Sequence, residues 1–184
     1  LHKDIPDAMI CSPGYNIIRK DRLSRGGGVM ILLRDFIGYR LVDIPPKYSH
    51  IELICIDVIF GQTTWRIIGY YRYGGYNNKA LEYAQDSVDC LRFLCHNKTA
   101  ICLVGDFNLP DFNWNLFSAP SCGVYSLFFD LVNELGLHQL VNVPTRGQNI
   151  LDLVFSSDSQ MISSITTSCP ISNSDHCVVS FQPN

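Results

Sequence analysis

The stretch that most limits what this chain can fold into runs from Ile51 to Val104, because the spacing of its apolar residues changes twice. Ile51–Phe60 is nearly all apolar, as a central strand buried on both faces requires, and Gly61-Gln62 turns it into a second strand, Thr64–Tyr71. Between Asn77 and Asn97 the spacing becomes helical. Leu81, Ala84, Val88, Leu91 and Leu94/Cys95 recur on one face, with Asn77 or Asn78 as the cap. Ala100–Val104 is apolar again and stops abruptly at Gly105. Strand, crossover helix, strand is the natural reading, and it places the chain in the α/β class.

The flanks fill in around that unit. Ala8–Cys11 and Tyr15–Arg19 read as short strands about the Ser12-Pro13-Gly14 turn, and Val29–Leu33 with Tyr39–Val42 as a second hairpin. Leu137–Val143, Ile150–Phe155, Met161–Thr166 and Cys177–Phe181 are further strands, and Tyr125–Leu135 is a second amphipathic helix ended by Gly136. Glu52 and Asp57 read as strand-end or face-switching residues. No repeat, low-complexity tract or linker divides the chain, so residues 1–184 are expected to form one domain of two packed sheets with flanking helices.

Composition narrows the function classes. With 47% hydrophobic and 17% charged residues the chain is globular, and no apolar run approaches the ~20 residues of a membrane span. A net charge of −3 lacks the global basic signature of a chain that coats nucleic acid, yet leaves room for an enzyme gripping a few phosphates. The eight cysteines make no CxxC and no compact Cys/His cluster, which argues against zinc and favours buried free thiols over disulfides. The sequence opens on Leu1-His2-Lys3 with no charged-then-apolar leader, and reads as a piece of something longer.

Four loops put polar groups at the ends of apolar strands: Tyr70-Tyr71-Arg72, Asp106-Phe107-Asn108, Asn149–Asp152 and Ser172–His176. Asp106 and Asn108 project the same way if extended backbone continues through Phe107; alternatively they are turn formers after a core strand. Asp152 is a single carboxylate within Ile150–Phe155, where a charge is costly unless paired, and such an acid often fixes the tautomer of an imidazole, here His176. The basic run Arg19–Arg25, closed by Gly26-Gly27-Gly28, is either a solvated hairpin tip or a phosphate-facing loop. Phe112 and Trp114 read as packed over their own domain, with insertion beside a nucleic-acid groove the alternative.

Taken in order, GDFN, LDLVF and SDH, with Tyr71-Arg72 before them, resemble the endonuclease/exonuclease/phosphatase superfamily. The flanks Arg25–Val29, Thr145-Arg146 and Ser174–Cys177 resemble the endonuclease domain of non-LTR (LINE-type) retrotransposons, over essentially the whole chain. The resemblance implies a DNase I-like, four-layer α/β/β/α fold built on a two-sheet β-sandwich, here lacking its first strands and helix. It implies DNA as partner, Mg²⁺ (or Mn²⁺) as cofactor, a downstream reverse transcriptase domain, and an intracellular, nuclear setting without membrane attachment.

By the same resemblance, Asp106 orients the attacking water and Asn108 holds that water and the phosphate. His176 contacts the scissile phosphate, oriented by Asp152; Tyr71 hydrogen-bonds the phosphate; and Asp175 takes the metal-associated position. Arg72, Thr145, Arg146, Arg25 and Ser174 are the expected phosphate or DNA contacts. Phosphodiester cleavage needs charge neutralisation and in-line positioning of water, which acids, an amide, a histidine and a hard cation supply. Family members also carry an upstream Asn and a metal-binding Glu that this sequence does not show, so the expectation is poor metal binding and little nuclease activity. A non-catalytic remnant, or a phosphatase acting on a soluble phosphoester or phosphoinositide, are the other readings.

Overall fold

The computed structural model describes residues 4–22, 27–121 and 123–184. Its centre is a mixed six-stranded sheet. In spatial order the strands are β3 (Tyr39–Leu41), β4 (Glu52–Phe60), β5 (Thr63–Tyr71), β6 (Ile101–Asp106), β8 (Asp152–Ser156) and β7 (His138–Gln139). The β4–β5 hairpin turns at Gly61, and α2 (Asn78–Cys95) carries the chain over to β6, which runs parallel to β5. The side chain of Asn77 accepts from the amide of Ala80 at 2.9 Å and starts that helix as expected.

The apolar pattern decides which face meets what. Leu53, Cys55, Ile68, Tyr70, Leu103, Leu153 and Phe155 pack under α2 and α3 (Gly123–Glu134). The alternate residues face two separate hairpins. Ile54, Ile56 and Val58 meet β1 (Tyr15–Lys20) and β2 (Val29–Arg34); Cys102, Val104 and Val154 meet β9 (Ile162–Ser168) and β10 (Val178–Pro183). Helices, central sheet and hairpins thus form three layers among the described residues. No helix among them is long and apolar enough to cross a membrane.

Several local expectations are corrected. Ala8–Cys11 is not a strand: Pro6 opens a short helical turn, α1 (Asp7–Ile10). Val29–Leu33 pairs with β1 rather than with Tyr39–Val42, because Ile18, Ile31 and Leu33 share one apolar face over β4. The segment Tyr39–Leu41 instead becomes the edge of the central sheet, where Arg40 sits opposite Asp57 and binds its carboxylate at 2.6 Å. Leu137–Val143 shrinks to a two-residue strand, since the Gln139 side chain bonds the main chain of Val141 and turns it off the sheet. The described cysteines are free thiols, and burial pushes those of Cys55, Cys95 and Cys102 up to about 12. Phe112 and Trp114 are buried against one another with ring centroids 3.6 Å apart, the own-domain packing expected of them.

Candidate active site

Four neighbouring strands present one cross-strand row at a single edge of the sheet. Glu52 lies opposite Tyr71, Tyr71 opposite Asp106, and Asp106 opposite Asp152. All four share the alternation of the hairpin-facing residues, so their side chains point to the same side. Residues spread over a hundred positions of sequence are therefore brought side by side by register alone.

Gly105 makes the row possible. It has φ +148°, and a Cβ built on it would lie 1.7 Å from the carbonyl oxygen of Tyr70, so β6 approaches β5 more closely than any side chain permits. Beyond it, Phe107 is clamped among Tyr70, Phe128 and Phe155. The backbone does not stay extended: Asn108 adopts φ +50°, a conformation that asparagine tolerates. The two polar side chains meet nonetheless. The Asn108 amide group donates to Asp106 at 2.9 Å and to the carbonyl of Arg72 at 2.7 Å, while its main-chain N–H donates to the other Asp106 oxygen at 3.0 Å.

Asp106 is raised to about 6, first by burial and next by the neighbouring Asp152 carboxylate, with His176 and Asn108 opposing. Tyr71 beside it is also raised, by burial and by Asp106. Asp152 and His176 form the expected pair, Oδ2 to Nδ1 at 2.8 Å. A carboxylate accepts, so the pair places the proton on Nδ1 and turns Nε2 outward. The Asp152 main chain is held in turn, because Thr145 Oγ1 accepts from the amides of both Leu151 and Asp152 at 3.0 Å.

One ligand atom each from Asp106, Asp152 and His176 lies within 4.8 Å of the others. The two carboxylates are oxygen ligands that suit a small, hard divalent cation and so fit the metal that the resemblance implies, while the imidazole is held at Nδ1 by Asp152. Asp175 does not join them: its side chain is 66% exposed and pairs with Arg146 at 2.7 Å. Among the described residues no glutamate joins them either.

The expected phosphate contacts divide. Arg146 is partly exposed beside Asn108 and Asp175 in a groove of about 560 Å³, where a polyanion can reach it. The hydroxyl of Ser174 accepts from the amide of His176 at 3.1 Å and shapes that turn. Arg25 lies outside the described residues. Arg72 and Thr145 are corrected, since both are fully buried. Arg72 donates to the carbonyls of Phe107 (2.6 Å), Gly75 (3.3 Å) and Asn108. It fastens the loop that carries Asp106 and Asn108, and Thr145 fastens the start of β8. Arg72→Lys loses the planar fork and leaves at least one buried carbonyl unmatched, so it should cost about 1–3 kcal/mol of stability, read as a lower melting temperature.

Sequence reasoning missed Glu52. The signal was there: an acid opening an apolar strand, the same feature that singled out Asp152.

Residues 65–180, which hold Tyr71, Asp106, Asn108, Asp152 and His176, match the family model described as Endonuclease-reverse transcriptase. No curated protein sequence matches the chain. Among solved structures, the fold resembles the endonuclease domain of TRAS1, a telomere-specific non-LTR retrotransposon. There the TM-score is 0.67 at 15% identity, over 94% of this chain and 81% of that one. It also resembles a 3'-5' exonuclease from Neisseria meningitidis, with a TM-score of 0.68 at 14% identity, over 100% and 86% of the two chains. An AP endonuclease from Archaeoglobus fulgidus matches with a TM-score of 0.64 at 11% identity, over 99% and 84%. With its DNase I-like sheet and a family match over most of its length, the chain belongs to the endonuclease-reverse transcriptase family of the endonuclease/exonuclease/phosphatase superfamily.

Proposed function

We propose that this chain hydrolyses phosphodiester bonds in DNA with the help of a divalent metal, as the endonuclease part of a retroelement protein that also carries a reverse transcriptase. The observation that carries this reading is the convergence of Asp106, Asp152 and His176, with Asn108 and Tyr71 beside them, at one sheet edge. Asp106 and Asp152 would hold the cation, which would supply charge neutralisation at the phosphate. Asp106, fixed by the Asn108 amide, orients the attacking water and takes its proton. His176, held at Nδ1 by Asp152, would act as an imidazolium whose Nε2 donates to a phosphate oxygen. Tyr71, opposite Asp106, would offer its hydroxyl to the same oxygens, and Arg146 would meet the charge of the strand from the Asp175 side.

Two carboxylate ligands make a weak metal site, so turnover by these 184 residues is expected to be slow and to need a high metal concentration. The test is nicking of supercoiled plasmid across a Mg²⁺ and a Mn²⁺ titration. Slow, metal-dependent nicking that Asp106→Asn and His176→Ala each reduce by about 100-fold or more supports the proposal. Nicking indifferent to both substitutions, or none at any metal concentration, overturns it.

A further inference from the structure

Glu52 closes the row beyond Tyr71, yet the chemistry above makes no use of it. It is 5% exposed, and its carboxylate is fully engaged. Oε1 accepts from Arg22 Nε at 2.7 Å, and Oε2 accepts from the amide of Gly28. The fit around it is tight: a Cβ on Gly27, where φ is +92°, would lie 2.6 Å from Oε2 and 2.9 Å from Arg22 Nη1. Glycine is therefore required at that position. The main chain is tied down as well. The Glu52 amide donates to the Tyr83 hydroxyl at 2.9 Å, and that hydroxyl donates to the carbonyl of Tyr71 at 3.2 Å.

The product of this network is the location of one cation. The Arg22 guanidinium carbon stands 5.9 Å from the centroid of the Tyr71 ring, and Arg22 lines a groove of about 630 Å³ together with His50 and Tyr73. The row of site residues is thus bracketed by two arginines, Arg22 at the Glu52 end and Arg146 at the Asp175 end, each held by a carboxylate. Strands in a sheet are about 4.8 Å apart, so a polyanion lying along this edge meets a guanidinium on either side of Asp106.

We propose that Glu52 is a positioning residue. By gripping Arg22 and the Gly28 amide it sets the Arg22 guanidinium at the Tyr71 end of the row, where it receives a phosphate of the bound strand next to the one being cleaved. The inference rests on the DNA reading above. It makes a prediction that bulk electrostatics reverses: removing an acid beside a DNA site ordinarily tightens binding, whereas removing this one loosens it.

The experiment is fluorescence anisotropy of a labelled DNA duplex in EDTA, without added metal, over a series of NaCl concentrations. Arg22→Ala should lower the slope of log affinity against log salt by about 0.9. Glu52→Gln, although it makes the chain one unit more positive, should weaken binding and lower the slope toward the Arg22→Ala value. The double variant should be no weaker than Arg22→Ala alone. Gly27→Ala, which leaves both side chains in place but crowds them, should show the same loss, and melting curves identify variants that remain folded. A Glu52→Gln chain that binds as tightly as wild type or tighter overturns the inference, as does an Arg22→Ala chain with unchanged slope. Wild-type protein with no salt-dependent binding overturns the DNA reading itself.

Discussion

Gly105→Ala is expected to be among the most damaging single substitutions in this protein, costing more than about 4 kcal/mol and abolishing the DNA nicking proposed above. The new Cβ would lie 1.7 Å from the Tyr70 carbonyl oxygen, which is main chain and cannot swing aside. Relief requires β6 to separate from β5 at the point where Tyr71 and Asp106 face one another. The check is a pair of measurements on the same sample, a thermal melt and a nicking assay. Full activity with a near-native melting temperature would show that the strands are free to part without cost.

Asp57→Ala should cost about 3–5 kcal/mol and lower the melting temperature by roughly 10 °C, at a place remote from the chemistry. Asp57 and Arg66 face each other across β4 and β5 on the helix side, joined by bonds of 2.8 and 2.9 Å, and Arg66 also donates to the carbonyl of Leu94 in the last turn of α2. Removing the acid leaves the guanidinium buried with a single acceptor. The pair also sets an acid limit. Hydrogen bonding to Arg66 lowers the Asp57 carboxyl from 3.8 to about 2, against the opposing effect of burial. Because the folded value is depressed, the stabilisation of about 2 kcal/mol is complete above pH 4 and is lost as pH falls toward 2. Denaturant melts of wild type and Asp57→Asn should therefore differ at pH 6 and converge near pH 2.

What the sequence made legible was local. The apolar run broken at Gly105-Asp106, the lone acid in Ile150–Phe155 and the His176 turn each announced a strand end carrying a polar group, and the structure brings all three together. The β4–β5 hairpin and the α2 crossover were equally plain, because period 2 and period 3.6 differ over stretches that long. Register was not legible. Nothing in the local pattern of Glu52 says that it stands opposite Tyr71, since that depends on where the Gly61 turn sets the pairing. Burial of polar groups was hidden for a related reason. Arg72 and Thr145 are residue types that suit a phosphate, and only the three-dimensional loop shows their donors and acceptors turned inward to main chain. The β1–β2 pairing escaped because the basic run between these strands resembles any long turn.

The row of Glu52, Tyr71, Asp106 and Asp152 also has a consequence for how the molecule comes into being. Each member belongs to a different strand, and its neighbours arrive from 19, 35 and 46 residues farther along the chain. No hairpin or helix formed early holds more than two of them. The early pair, Glu52 and Tyr71, contains none of the ligand cluster, whose last carboxylate enters only when β8 docks against β6. Even the completed sheet lacks His176, which precedes β10, so the cluster is whole only once the β9–β10 hairpin packs on the sheet.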